Sequence, residues 1–348
     1  MTNGYTNSID NGLFSPGKAA RKIFSRTLLP LVFFFIACYA AAFIIEFIVA
    51  IMFPYKIEEI FTSPYFSIAI NTVAMYGVGF PVFLLSARKM GCEPSAPEKQ
   101  KITPKAIIVL FLIGEGFMFV GSLIGNALNA IIGAFTGSEI ENGIESLITG
   151  TPLWLILAVV VVIGPVIEEI MFRKVIIDRL MPTGELSAVI FSGIAFGLFH
   201  GNLYQLFYAT LLGFILGYIY VKTGRLIFPI IIHVVINFLG SALPMLLSDV
   251  MIEYEDMLLA MELGEAVNNE LFTKYSMIIL LYMLFQYGVY LLGIALAIYC
   301  MIKHRPSFRR GALMLSPLSA ASSAVFNLGA ILFLGISVLS IILNILPV

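Results

Sequence analysis

Long apolar runs recur along the whole of this 348-residue chain, and they constrain its fold more than any other feature. A helix needs about 20 predominantly apolar residues to cross a bilayer. By that ruler nine candidate spans lie at roughly 28–53, 65–87, 106–135, 152–172, 186–201, 203–221, 226–247, 276–302 and 319–346. Hydrophobic residues make up 60% of the chain and charged residues 12%, against roughly 45–50% and about 25% in soluble domains. Mean hydropathy is +0.99. Such a chain cannot cover its surface with polar groups, so the expected fold is an all-α polytopic bundle of about nine transmembrane helices.

Residues 1–27 are polar and carry Lys18, Arg21, Lys22 and Arg26. The apolar run that follows is longer than a signal h-region, so this tail is expected to precede a retained first helix. Residues 28–348 then form a single membrane domain. Basic clusters fall in 1–27, in 88–105, at Arg173, Lys174 and Arg179, at Lys222 and Arg225, and in 303–310. Acidic groups occupy the alternate connections: Glu58 and Glu59, then Glu139, Glu141 and Glu145, then the 248–275 segment. By the positive-inside rule the N-terminus is expected in the cytoplasm and the C-terminus outside. The acidic 248–275 segment is expected to form an external helix or cap.

A net charge of −1 and a pI near 6.3 argue against nucleic acid as a partner. Cys38, Cys92 and Cys300 are far apart and include no CxxC pair, so neither a disulfide framework nor a cysteine metal site is expected. Gly193, Gly197 and Gly201, then Gly213 and Gly217, recur at four-residue spacing, which lets helix backbones approach closely in lipid.

Ionisable groups inside spans are costly and mark functional sites. Two of the three histidines, His200 and His233, fall in apolar stretches, and Glu168-Glu169 ends an apolar run. Neighbouring helical residues point about 100° apart, so the two carboxylates face different ways. Glu169 and Arg173 are four apart, acid before base, the order favourable for an ion pair. Glu168 is then free to face a cavity. Asn237 follows His233 by four residues and shares its face, as Phe196 does with His200.

Cleaving an amide requires a base to activate water, donors for the oxyanion and a proton for the leaving amine. Glu168 fits the base, His200 a group that holds the water, and His233 with Asn237 an oxyanion hole. Two histidines and a glutamate, here Glu168, His200 and His233, also suit a zinc site with one open position. The residues alone leave both chemistries open. Glu46, Glu115, Asn126, Asn129, Gln205 and Gln286 also lie in apolar surroundings. They suit a transporter, with Glu115 as a proton relay.

At these positions the sequence resembles the CAAX-protease and bacteriocin-processing family of intramembrane endopeptidases. The resemblance rests on a Glu pair, three residues and Arg (Glu168, Glu169, Arg173); Phe, three residues and His (Phe196, His200); and His, three residues and Asn (His233, Asn237). It covers about 150–245. It implies peptide-bond hydrolysis in a membrane-associated peptide or protein, with Glu168 as the base and His233 and Asn237 as the oxyanion hole. Glu169 counts among the catalytic candidates, and Arg173 and Phe196 lend structural support. A metal-free mechanism is preferred and no cofactor is expected. The expected setting is a bacterial plasma membrane. The alternatives are a transporter or bacteriocin-immunity protein that keeps the fold, or a scaffold for a membrane partner.

Two expectations are geometric. The Glu168 carboxylate is expected within about 8 Å of both imidazoles, a reach one water can bridge. His200, however, lies about 20 Å along its span if that span starts near 187, whereas Glu168 sits near the end of its own. The depths conflict unless the His200 helix starts deeper or tilts, or a boundary is misplaced.

Overall fold

A computed structural model of the chain describes residues 15–90, 93–137, 150–304 and 306–345. Residues 1–14, Cys92 and the acidic Glu139, Glu141 and Glu145 lie outside the described residues. The described residues form helices and their connections, with no strand. Among the described residues, eight helices are long and apolar enough to cross a membrane: α1 Pro16–Met52, α2 Pro64–Lys89, α3 Pro104–Thr136, α4 Leu153–Thr183, α6 Leu203–Thr223, α7 Ile227–Leu246, α9 Asn269–Lys303 and α11 Leu328–Ile345. Between them lie α5 Glu185–Phe199, α8 Ser248–Glu262 and α10 Pro317–Val325. The protein is an all-α integral membrane bundle.

Four boundaries differ from the hydropathy reading, each for a physical reason. The first helix starts at Pro16, so residues 16–27 of the polar tail are helical, and Ala19, Ala20, Ile23 and Phe24 are buried there. The apolar run at 319–346 is split into α10 and α11 at Phe326 and Asn327, where the Asn327 side chain accepts from the Ala330 amide. The span expected at 186–201 is α5, a helix of only 15 residues. The fourth correction concerns α4, which does not end at 172 in a basic loop but continues to Thr183. The charges that suggested a loop are folded into the bundle. Asp178 is buried between Lys174 (2.7 Å) and the Tyr220 hydroxyl (2.8 Å). Arg179 donates to the carbonyls of Val175 (2.9 Å) and Ala87 (3.1 Å).

That extension removes the conflict of depths. From Glu168 to Thr183 the chain advances 183 − 168 = 15 residues, and from Glu185 to His200 it advances 200 − 185 = 15. The two arms of the α4–α5 hairpin are therefore matched, each about 22 Å long at 1.5 Å per residue. Gly184 turns the hairpin at φ 112°, a left-handed conformation that favours glycine. The 306–316 loop holds its tip, through Glu185 N–H to Arg309 O (3.1 Å) and Leu313 N–H to Pro182 O (3.1 Å).

The connection from α5 to α6 is as short as the sequence suggests. Gly201 reverses the chain at φ 66°, and the Asn202 side chain caps α6 by accepting from the Gln205 amide (2.9 Å). Where α5 crosses α6, a Cβ on Gly213 would lie 2.7 Å from the Gly193 Cα, so the backbones themselves are in contact. Two buried clusters result. One joins α1, α4 and α5 through Phe24, Phe34, Phe172, Phe196 and Phe199. The other joins α3, α6 and α7 through Ile113, Leu212, Leu216, Ile232 and Ile236. The candidate site lies between them. By contrast α9 packs on α3 and α8 and exposes most of its length, as a lipid-facing helix would. The 248–275 segment contains the exposed α8. Cys38 is buried as expected, its thiol 3.4 Å from Ala74 O.

Gly193→Leu should force α5 and α6 apart. Overpacking of this kind costs about 1–3 kcal/mol, so the thermal midpoint of the variant in detergent is expected to fall by several degrees; an unchanged midpoint would contradict the backbone contact.

Candidate active site

The site is assembled mainly from four helices, three of which depart from regular α geometry beside it. Stretches of π-helix occur at Val73–Gly79 in α2, at Leu157–Ile163 and Ile170–Ile177 on either side of the Glu pair in α4, and at Phe238–Ala242 immediately after Asn237 in α7. Each widened turn changes the direction of the residues that follow, and such turns are frequent at functional sites. The fourth helix, α5, ends at His200, one residue before the Gly201 reversal.

A cavity of about 450 Å³ opens between these helices, lined by Glu168, Phe196, His200, His233 and Asn237 together with Tyr76, Asn202, Gln205 and Tyr208. Six of the seven residues picked out from the three motifs meet here: Glu168, His200, His233, Asn237 and Phe196 on the cavity wall, and Glu169 behind it.

The two glutamates divide as their helical directions require. The Glu168 side chain keeps 14% of its surface exposed, and its Oε2 is 3.7 Å from His233 Nε2. That of Glu169 is fully buried. One Glu169 oxygen accepts a hydrogen bond from His233 Nδ1–H at 3.0 Å, and the other is 3.0 Å from Arg173 Nε, close enough for an ion pair but without hydrogen-bond alignment. The contact with His233 was not foreseen from sequence, because a 64-residue separation leaves no local spacing to read.

Arg173 is completely buried, which only pairing makes tolerable. Its guanidinium carbon lies 4.9 Å from the Phe196 ring centroid, a cation–π contact. Phe196 also meets the His200 ring edge-to-face at 4.9 Å and the His233 ring at 5.6 Å between centroids. One phenylalanine thus underlies the arginine and both histidines. The Phe196 carbonyl fixes His200 as well, accepting from Nδ1 at 2.8 Å. A carbonyl can only accept, so Nδ1 carries the proton and Nε2 is the ring nitrogen left for the cavity. Asn237 donates one amide hydrogen to Val160 O at 2.9 Å, which leaves a second for a ligand.

Zinc is the chemistry to test against these donors. Among the described residues no group of three His, Cys, Asp or Glu side chains is arranged to hold a metal ion. Glu115 and Asn129 are buried in α3 but do not line the cavity, and Glu46 is exposed on α1. Gln286 bonds the Tyr290 hydroxyl at 2.7 Å. Of the polar residues that suggested a transporter, Gln205 alone reaches the cavity.

Comparison with known proteins agrees with the motifs. Residues 150–239 match the family model for type II CAAX prenyl endopeptidases, Rce1-like. A stretch of 121 residues is 32% identical to the Bacillus subtilis (strain 168) protein named "Putative membrane peptidase YdiL", over 34% of this chain and 49% of that protein. The chain thus spans about half the length of this curated relative. No solved structure matches the chain. The family resemblance is borne out over the segment that carries α4 to α7.

Removing the Arg173 charge leaves a carboxylate buried beside His233. Arg173→Met is expected to destabilise the protein by about 3–5 kcal/mol, read as a lowered thermal midpoint. Glu169→Gln added to it should restore part of the loss, and additive losses would show that the pair is not coupled.

Proposed function

We propose that this protein is a membrane-embedded endopeptidase that hydrolyses a peptide bond of a membrane-associated peptide or protein with water activated by Glu168. The observation that carries the reading is the division of labour in the Glu pair. Glu169 is consumed by His233 and Arg173, while Glu168 faces a cavity bordered by two imidazoles and a carboxamide. Support comes also from the Rce1-like segment and the peptidase name of its relative.

Each residue then has a distinct task. A water between Glu168 and His200 gives its proton to the Glu168 carboxylate and attacks the scissile carbonyl, held by a hydrogen bond to His200 Nε2. His233 Nε2 and the remaining Asn237 N–H face the same space and donate to the oxyanion. Because Nδ1 already donates to Glu169, His233 can donate from Nε2 only as the doubly protonated ring. The charges then balance: two carboxylates against Arg173 and the imidazolium, a neutral set suited to a low-dielectric interior. Glu168 passes the proton to the leaving amine as the tetrahedral intermediate collapses. Glu169, Arg173 and Phe196 are positioning residues, since none meets the reacting atoms. The proposal includes a bacterial plasma membrane, with the N-terminus and the α4–α5 hairpin tip on the cytoplasmic side.

Glu168→Gln keeps the shape and removes the base. On a membrane-anchored reporter peptide cleaved by the wild type in nanodiscs, its rate is expected to fall by at least 10²–10⁴-fold, the scale of general-base catalysis, with an unchanged thermal midpoint. A folded Glu168→Gln protein that cleaves as fast as wild type would overturn the reading.

A further inference from the structure

We infer that the Tyr76 hydroxyl is an additional catalytic hydrogen-bond donor in this site, contributed by α2, a helix outside the three motifs and outside the matched segment. The inference rests on the peptidase reading and adds to it a residue that reaches the reacting atoms from a separate helix.

Three observations converge on Tyr76. First, it lines the same cavity as Glu168, His200 and His233, on a stripe of α2 with Ile68, Thr72 and Met75. Second, it sits in the π-helical stretch Val73–Gly79, whose extra residue per turn redirects side chains relative to a regular helix. Third, α4 makes room for its hydroxyl. A Cβ on Gly164 would stand 2.9 Å from Tyr76 Oη, so the hydroxyl occupies the space that a side chain at 164 would fill. Gly164 precedes Glu168 by 168 − 164 = 4 residues and therefore shares its helical face, where neighbouring Cβ positions are about 5–6 Å apart. The phenol thus lies over α4 one turn from the base, on the wall of the cavity they share.

Among the described residues the Tyr76 hydroxyl has no side-chain hydrogen-bond partner. A donor without a partner, lining the cavity that also holds a carboxylate, is suited to a group that gains negative charge during the reaction. Tyr76 donates a hydrogen bond and keeps its proton. The water proton still passes to Glu168 and on to the leaving amine, so the step balances without it.

Tyr76→Phe deletes the hydroxyl and keeps the ring. On a reporter whose cleavage requires Glu168, kcat is expected to fall about 10²-fold, the scale of losing one transition-state donor, with KM changed by no more than a few-fold. Wild-type kcat in a folded Tyr76→Phe protein would overturn the inference and leave the Glu168 reading intact. Cleavage that survives Glu168→Gln would instead overturn the reading on which it rests. Gly164→Ala guards against a purely structural effect, because its Cβ displaces the hydroxyl. It should lower kcat in the wild-type background and have little further effect in Tyr76→Phe. Multiplicative losses in the double variant would assign both residues to packing and overturn the inference, even where Tyr76→Phe lowers the thermal midpoint.

Discussion

The structure of the site depends on one buried ionic contact, Glu169 held between Arg173 on its own helix and His233 on another. Groups this polar are costly in a membrane interior, and each of the three is tolerable there only because of the other two. The contact therefore fixes α4 against α7 in a single register. A slip of one residue would turn Glu169 about 100° away and leave two charges unpaired. Phe196 extends the same constraint to α5, since its ring carries the Arg173 guanidinium on one side and meets both imidazoles. With those three helices locked, Glu168 has one direction left, into the cavity.

The surrounding fold holds this arrangement at the right depth. The α4–α5 hairpin has arms of equal length, so the end of α5 returns to the level of the Glu pair. Its tip is tied to the loop after α9, and its outer arm is pressed onto α6 where Gly193 and Gly213 allow backbone contact. The π-helical stretches lie next to the functional residues in α2, α4 and α7. Regular helices satisfy all their backbone groups at no cost in lipid, so widened turns confined to the neighbourhood of one cavity are consistent with selection for the direction of particular side chains.

The sequence makes some of this legible and hides the rest for identifiable reasons. Spans and helical class follow from apolar runs, because the bilayer imposes a length that composition records. The i, i+4 spacings of Glu169 with Arg173, Phe196 with His200 and His233 with Asn237 place each pair on one face, and the structure keeps those faces together. Hydropathy misjudges α4, because it treats Arg173, Asp178 and Arg179 as solvated charges when their partners are Glu169, Tyr220 and backbone carbonyls. Partners distant in sequence leave no local trace. The Glu169–His233 bond spans 64 residues, and Val160 meets Asn237 across 77. Tyr76 is invisible for another reason. A tyrosine in an apolar span is ordinary, and its significance appears only when α4 brings Gly164 beneath it.

The central claim is that the Glu168 carboxylate itself activates the attacking water. The most direct test measures metal content and reporter cleavage on the same chelator-treated sample of the wild-type protein in nanodiscs. The account predicts cleavage at the untreated rate from protein holding only substoichiometric metal. Near-stoichiometric zinc in the active protein, with cleavage lost on its removal and regained on its return, would contradict it.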